Sequence, residues 1–241
     1  MFSSFKSQIL LIVAGIAVLA GAFFMYQTTK KPLDPVAEAQ KRLDDILPII
    51  PKQLQYDTTT NGTTMVIDSH YKIVKPFSFI NQDSQAINQD FTKGKIYCAN
   101  FFFTTCEEAC PRMQNAFKEA IYDKLKGNPN IVFLSHSVDP DFDQPEMLKD
   151  YADSLKVSGK QWQFLTGSKK ELYSMARYDY YLAVQEQDKS IEGTKSDFLH
   201  SQNIALIDQQ GRMRGQYDSF NPKELIQLYK DIEILLITLP K

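Results

Sequence analysis

The amino-acid sequence predicts a three-layer α/β domain with a mixed β-sheet, preceded by one membrane-spanning helix. The first observation is a run of 18 uncharged residues near the N-terminus, which as a helix would cross most of a bilayer. The second is a change of pattern near Lys72, after which short apolar runs alternate with segments of helical period. The third is a near-balance of 27 basic and 29 acidic residues, which provides no basic patch for nucleic acid. We therefore expect one globular domain that does not bind nucleic acid.

The apolar run covers residues 9–26, and residues 1–29 are predicted to be an N-terminal transmembrane anchor. The sequence AGA at residues 20–22 has the small-residue form of a signal-peptidase site, so a cleaved signal peptide is the alternative. Further apolar residues follow at once, which makes the run longer than the core of a usual signal peptide. No Arg-rich and Ser-rich presequence precedes it, which favours a bacterial inner membrane.

The remaining chain divides into a stalk or linker at residues 30–71 and a folded domain at residues 72–241. The first part holds a short amphipathic piece at about residues 36–47 and then a Thr-rich stretch interrupted by proline. Nothing in the pattern indicates an internal repeat, and the oligomeric state is left open.

The first half of the domain is predicted to contain two strands, a helix and a third strand, in that order. A helix at residues 108–125 places Met113, Phe117 and Ile121 on one face, and Gly127 ends it. The predicted strands cover residues 77–80, 96–103 and 131–138.

The second half reads as two helices, a strand, a hairpin and a last helix. Asp143 and Glu146 have the spacing of a capping box, as have Ser168 and Glu171, so each pair is predicted to start a helix. Asn221 precedes the last helix. The strand is predicted at residues 180–184 and the hairpin at residues 204–208 and 212–217. This order of elements is typical of a thioredoxin-like fold with a mixed central sheet flanked by helices.

Two of the three cysteines lie where a predicted strand ends and a helix begins. Cys106 and Cys110 are four residues apart, so on one helical face their thiols are close enough to share an ion or to form a disulfide. The N-terminal end of a helix favours the thiolate over the thiol. Cys98 lies among apolar residues within a strand and is predicted to be an inert core residue.

Four segments follow one another along the domain: FFFTTCEEACPRM, SHSVDPDFDQPEMLKDYA, WQFLTG and LHSQNIALIDQQGRMRGQYD. In these segments and their order the domain resembles the SCO/SenC copper chaperones, which are membrane-tethered proteins of thioredoxin fold that help to assemble cytochrome c oxidase. The resemblance covers roughly residues 77–236. It departs from the family at Glu107, where many members have proline.

The resemblance implies a copper site formed by Cys106, Cys110 and His200, and delivery of one copper ion to the copper-bearing subunit of cytochrome c oxidase. Two thiolates select Cu(I), and an imidazole is accepted by both Cu(I) and Cu(II), so this set of ligands suits copper in either oxidation state. Its low coordination number leaves the ion transferable. Because such cysteines belong where oxidants and respiratory subunits meet, we expect the soluble domain to face the periplasm.

The remaining histidines and the acidic residues near the cysteines are not predicted to bind a metal ion. A closed zinc site would need a fourth ligand, for which His70 or His136 remain. His136 ends a strand between two serines and is predicted to be a hydrogen-bonded structural residue, and His70 receives no role. Asp139 and Asp143 lie in a proline-flanked turn that favours a helix start over a cation site, with Asp139 expected near the cysteine loop.

The main alternative is a membrane-tethered thiol–disulfide oxidoreductase that acts on the oxidase subunit or on other envelope proteins through Cys106 and Cys110. A general oxidoreductase of this fold normally carries C-x-x-C, whereas this chain has C-x-x-x-C, and no proline lies near Gln202, where such an enzyme would have one. A peroxidase would need a lone cysteine with Thr and Arg partners. The copper chaperone, which is not an enzyme, is therefore the favoured hypothesis.

Overall fold

The computed structural model describes residues 73–157, 159–182 and 201–238. Within these ranges no helix is both long enough and apolar enough to cross a membrane. The predicted anchor at residues 1–29 and the predicted stalk at residues 30–71 fall outside the described residues, so both stay predictions.

The described strands form one mixed sheet in the order β2-β1-β5-β4-β3-β6-β7. The central pairs β3 with β4 and β4 with β5 are parallel, and the outer pairs are antiparallel. The strands are β1 (Ser78–Asn81), β2 (Ala86–Asn88), β3 (Ile96–Phe102), β4 (Ile131–Ser137), β5 (Trp162–Thr166), β6 (Asn203–Ile207) and β7 (Met213–Asp218).

Helices cover the sheet. A π-helical turn at Lys118–Tyr122 joins α2 to α3, and a second at Met175–Asp179 follows α5. The α-helices are α1 (Gln89–Thr92), α2 (Ala109–Phe117), α3 (Asp123–Leu125), α4 (Pro145–Leu155), α5 (Lys169–Ser174) and α6 (Pro222–Ile237).

The two central strands are buried along their whole length because both faces of the sheet are covered. Every residue of β3 and β4 is buried, as expected of parallel strands between layers. On one face, Phe117 of α2 contacts Trp162 and Phe133 edge-on, at ring-centroid distances of 5.1 and 5.4 Å. A second apolar cluster, which includes Phe79 and Tyr180, lies on the other face. Together they hold the carboxyl end of β3 in a fixed position.

The predicted ends of several elements are confirmed. Gly127 has a φ of 84° and follows the helical segment, a conformation that glycine adopts without strain. Asn221 caps α6, since its side chain accepts a hydrogen bond from the Lys223 N–H at 3.1 Å. The predicted hairpin is present as β6 and β7.

Two strand assignments were wrong in the second half of the domain. The strand predicted at residues 180–184 is not a strand in its described part, where Tyr180 follows a π-helical turn and Tyr181 has a φ of 52°. The sheet instead includes β5, which contains Trp162 and which the sequence pattern did not identify as a strand. A short buried run resembles a helix segment as much as a strand, so hydrophobic period alone could not separate the two.

The capping role predicted for Asp143 was also wrong. Gln144 occupies the N-cap of α4, and Pro145 is the first residue of the helix. Ser168 does stand at the N-cap of α5, but its side chain makes no capping hydrogen bond. Asp143 is instead fully buried and points to the loop that carries the cysteines.

Candidate copper and thiol site

The cysteine pair lies at the carboxyl end of β3, where the chain leaves the sheet. Cys106 precedes α2, which begins later than predicted, at Ala109, and Cys110 lies in its first turn. The Cys110 N–H donates to the Cys106 sulfur across 3.2 Å. The Cys106 sulfur thus accepts a hydrogen bond from a backbone N–H in the first turn of α2. The side chain of the N-cap residue Glu108 makes no capping hydrogen bond. The proximity predicted for the two cysteines is confirmed.

Cys106 is the more exposed thiol, and its surroundings favour the thiolate. Partial burial disfavours the charge, but hydrogen bonds from the N–H and the thiol of Cys110 favour it. The backbone N–H groups of Glu108 and Ala109 add two more hydrogen bonds. The net effect lowers the pKa of Cys106 below the ordinary thiol value, which is the pattern of a reactive or metal-binding cysteine.

Cys110 is the opposite case, with only 8% of its surface exposed. Burial and the donation of its proton to the Cys106 sulfur together raise the pKa of Cys110 to about 12, although a hydrogen bond with the Phe103 backbone opposes the rise. In the reduced pair, ionisation is therefore favoured at the accessible Cys106 and disfavoured at the buried Cys110. This asymmetry suits both a thiol nucleophile with a resolving partner and a two-sulfur metal site.

A buried carboxylate holds the cysteine loop against the neighbouring strand. Asp143 accepts hydrogen bonds from the backbone N–H of Thr104 at 3.2 Å and from the Thr104 hydroxyl. The Ser137 hydroxyl, at the end of β4, donates to the same carboxylate at 2.5 Å. Burial raises the pKa of Asp143, and these hydrogen bonds oppose that rise. The loop contact expected of Asp139 is thus made by Asp143.

A buried polar network fixes α2 on the sheet one turn after Cys110. The amides of Gln114 and Asn100 exchange two hydrogen bonds of 3.2 Å, so α2 is tied to β3. Gln114 also donates to the Ser135 hydroxyl, which accepts a 2.9 Å hydrogen bond from Trp162 as well. Because every member is buried and paired, this network gives the cysteine helix one position.

The remaining cysteine and the described histidine have the structural environments predicted for them. Cys98 is 1% exposed, and burial raises its pKa well above the ordinary thiol value. His136 is fully buried and stacks on Phe101 with 4.9 Å between ring centroids. Its Nδ1 lies 3.4 Å from the Asn100 carbonyl oxygen, and burial lowers its pKa to about 4. His136 is therefore a neutral core residue.

His200, the third ligand implied by the resemblance, and His70 lie outside the described residues. In the part of the chain that the structure does describe, no group of three or more His, Cys, Asp or Glu side chains could hold a metal ion. Ser201 and Gln202 are described, and they lead into β6, which is antiparallel to β3 with Ala99 opposite Ala205.

Sequence reasoning missed two further groups at the site. Gln114 of α2 lies one turn after Cys110 and is bonded to Asn100 of β3, and the charges of the cysteine pair help to raise the pKa of Tyr151 of α4. Each residue nevertheless lies in a stretch with the pattern of an ordinary amphipathic helix. A polar residue on the apolar face was the one available signal at Gln114. Tyr151 gave none, because tyrosine is common at half-buried helical positions.

Comparison with known proteins identifies the family of this chain. The SCO1/SenC family matches residues 66–236. A SCO1 protein homolog of Bacillus subtilis is 32% identical over 162 residues, covering 66% of this chain and 81% of that protein. A SCO2-like protein of Rickettsia prowazekii is 27% identical over 172 residues, covering 70% and 82%.

Solved structures give the same result. A SCO1/SenC family lipoprotein from Bacillus anthracis superposes with a TM-score of 0.59 at 26% identity, over 69% of this chain and 96% of that one. BsSco, described as having a disulfide switch and as a member of the Sco family of cytochrome c oxidase assembly proteins, has a TM-score of 0.57 at 30% identity, over 68% and 92%. Arabidopsis thaliana ScoI, solved with copper bound, has a TM-score of 0.52 at 25% identity, over 67% and 98%. The thioredoxin-like fold with a mixed sheet is confirmed, and the chain belongs to the SCO1/SenC family.

Proposed function

We propose that this protein is a membrane-anchored copper chaperone that binds one copper ion as cargo through Cys106, Cys110 and His200. It would deliver the ion to the copper-bearing subunit of cytochrome c oxidase. The observation that carries the proposal is the pair of adjacent thiols, one favoured as thiolate, at the fixed end of β3. Copper bound to the related Arabidopsis ScoI and the role of the Sco family in oxidase assembly support it.

The chemistry of the cysteines fits copper. Two thiolates form a soft donor set that selects Cu(I). Metal binding removes the proton that Cys110 shares with Cys106, so affinity should rise with pH. The clamp from Asp143 to Thr104 keeps the loop in place before the ion arrives, which reduces the ordering cost of binding.

The course of β6 supports His200 as the third ligand. In the antiparallel register of β3 and β6, the start of β6 at Asn203 lies at the end of the sheet where β3 leads to the cysteines. His200 precedes Asn203 by three residues. An imidazole there would supply the nitrogen ligand that Cu(II) needs.

The uncharged run at residues 9–26 supports the anchor, with the domain on the periplasmic side of a bacterial inner membrane. The related protein of Bacillus anthracis is described as a lipoprotein, which is another way of attaching a domain to a membrane.

Copper titration of the full chain in detergent tests the ligand set. We expect one copper per chain, loss of copper from Cys106→Ser and Cys110→Ser, and loss of most Cu(II) binding from His200→Ala. His70→Ala serves as the matched histidine control and should bind Cu(II) as the wild type does. Tight Cu(II) binding by His200→Ala, together with full oxidase assembly, would show that the three-ligand site is wrong.

A second candidate, a thiol–disulfide oxidoreductase, is favoured by the lowered pKa of Cys106. The Cys106 thiolate would attack a disulfide of the target, releasing one target thiolate, and Cys110 would then displace the second and close the Cys106–Cys110 disulfide. His200 has no part in these steps, so His200→Ala should retain disulfide exchange. Oxidase assembly by that variant therefore separates the two functions.

A further inference from the structure

Two buried amides close a ring of the chain that contains both cysteines of the candidate site. Asn100 lies in β3, six residues before Cys106, and Gln114 lies in α2, four residues after Cys110. The Asn100 amide donates to Gln114, and the Gln114 amide donates back to Asn100, each at 3.2 Å. The strand that leads to one cysteine is thus bonded directly to the helix that carries the other.

This amide pair is shielded from water and is directional. Asn100 is 1% exposed, Gln114 is fully buried, and Gln114 also donates to the Ser135 hydroxyl of β4 at 3.2 Å. The neighbouring Met113 and Phe117 contribute apolar contacts, which are not directional and permit a helix to slide or rotate. Hydrogen bonds depend on both distance and angle, so those of Gln114 fix the position and the rotation of α2 on the sheet.

The first turn of α2 has weak support of other kinds. The side chain of the N-cap residue Glu108 makes no capping hydrogen bond, and its ion pair with Arg112 is exposed, which stabilises a helix only slightly. Four residues after Gln114 the helix changes to the π-helical turn Lys118–Tyr122. Such turns interrupt the regular α-helical ladder and are frequent near functional sites. Neither the ion pair nor a long unbroken α-helix therefore holds the cysteine end of α2 in place.

Binding of one ion and formation of a disulfide both require the two sulfurs to lie close together. A disulfide, for example, needs Cβ atoms about 3.5–4.5 Å apart. The separation of Cys106 and Cys110 depends on where β3 ends and on how α2 lies against it. A reciprocal bond between the strand and the helix restricts both before a metal ion or an oxidant arrives, which lowers the ordering cost of the reaction.

We infer that the Asn100–Gln114 amide pair positions the cysteine site: it holds Cys110 beside Cys106 and so raises both the Cu(I) affinity and the stability of the Cys106–Cys110 disulfide. The copper part of this inference rests on the proposed function, and the disulfide part rests on the cysteine pair alone. Both amides act through the backbone of β3 and α2, so Asn100 and Gln114 are positioning residues.

The test compares Gln114→Met, Asn100→Leu and the double variant with the wild type, as full chains in detergent. Each single variant leaves one buried amide without its partner and should lower the melting temperature. The double variant removes both amides, and Ser135 keeps its 2.9 Å hydrogen bond from Trp162, so the melting temperature should recover. Its Cu(I) affinity, measured by competition with a chromophoric chelator, should stay about tenfold below that of the wild type, a loss typical when a group that supports metal ligands is removed.

The disulfide provides a second measurement that needs no metal. Two glutathione molecules reduce the Cys106–Cys110 disulfide to two thiols and form one glutathione disulfide. In the double variant this equilibrium should shift about threefold to tenfold toward the two thiols, because their effective concentration falls when their separation is less restricted. A tenfold shift corresponds to about 30 mV.

Gln161→Met is the matched control, because it removes a buried glutamine that is bonded at the other end of the sheet. The Gln161 amide donates to the carbonyl oxygens of Leu125 and Ile131 at 3.0 and 3.2 Å. Ile131 is the first residue of β4, which runs parallel to β3, whereas the cysteines follow the last residue of β3. Gln161→Met should therefore lower the melting temperature and leave the Cu(I) and glutathione equilibria unchanged.

Wild-type values of both equilibria in the double variant would overturn the inference, because the amide pair would then act on stability alone. Losses of the same size in Gln161→Met would overturn it as well. Failure of the proposed function gives a different result, a wild-type chain whose Cu(I) binding does not depend on Cys106, and the glutathione equilibrium then still decides the inference. A wild-type chain that neither binds Cu(I) nor forms the disulfide would overturn both.

Discussion

Replacing His136 should remove a specific part of the acid sensitivity of this domain. The ring is fully buried against Phe101 and Phe79, and burial lowers its pKa from 6.5 to about 4. Between these two values the unfolded chain binds a proton that the folded chain does not. The free energy of unfolding contributed by His136 is therefore complete above about pH 6.5, falls as the pH drops, and levels off below about pH 4.

The size of this change in the free energy of unfolding follows from the pKa shift of His136. Each pKa unit corresponds to 1.36 kcal/mol, so a shift from 6.5 to about 4 represents about 3 kcal/mol across the window. That is a large part of the stability of a typical domain. His136→Phe retains an aromatic ring among aromatic neighbours and does not titrate.

The assay is urea unfolding of wild type and His136→Phe under reducing conditions at pH 7, 6, 5 and 4. The free energy of unfolding of the wild type, minus that of the variant, should decrease by about 3 kcal/mol from pH 7 to pH 4. Burial raises the pKa of Asp143, which gives the opposite pH dependence, but this contribution is common to both chains and cancels. A difference that is constant over this range would refute the argument.

Three further results are expected. Cys98→Ala should leave copper stoichiometry unchanged and cost little stability, and loss of copper from a folded variant, measured by metal analysis, would show that the wrong thiols were assigned. Asp143→Ala should cost about 2–4 kcal/mol in urea unfolding and weaken copper binding, because it leaves Thr104 and Ser137 without their buried acceptor, whereas wild-type stability would contradict the clamp. Alkaline phosphatase fused after Lys241 should be active if the domain is periplasmic, and an inactive fusion at normal expression would contradict the topology.

Much of the fold was predictable because it depends on local patterns. The strands β3 and β4 are continuous apolar runs, and the hairpin and α6 carry turn and capping residues at the expected places. The strand β5 was missed because its five residues lack alternation, and the described part of the segment predicted as a strand at residues 180–184 shows the reverse error. For β5 the neighbouring strands in the sheet, and not the local sequence, decide the conformation.

The proximity of the two cysteines was predictable from the sequence, whereas the contacts that hold their loop in place were not. Four-residue spacing places Cys106 and Cys110 together wherever a helix begins near them. Asp143 had the spacing of a helix cap, and its contact with Thr104 spans 39 positions of the sequence. A local motif could not indicate that contact, because it depends on how the loop after β4 packs against the loop after β3.

The two proposed activities draw on the same asymmetry between the sulfurs. Cys106 is accessible and favoured as thiolate, so an incoming copper ion or a target disulfide would meet it first. Cys110 is buried and keeps its proton until a second bond, to copper or to sulfur, forms at its own sulfur. Copper capture releases that proton, and disulfide closure transfers it to the leaving thiolate. The chemistry of the partner, and not a rearrangement of the two cysteines, would therefore select between copper transfer and disulfide exchange.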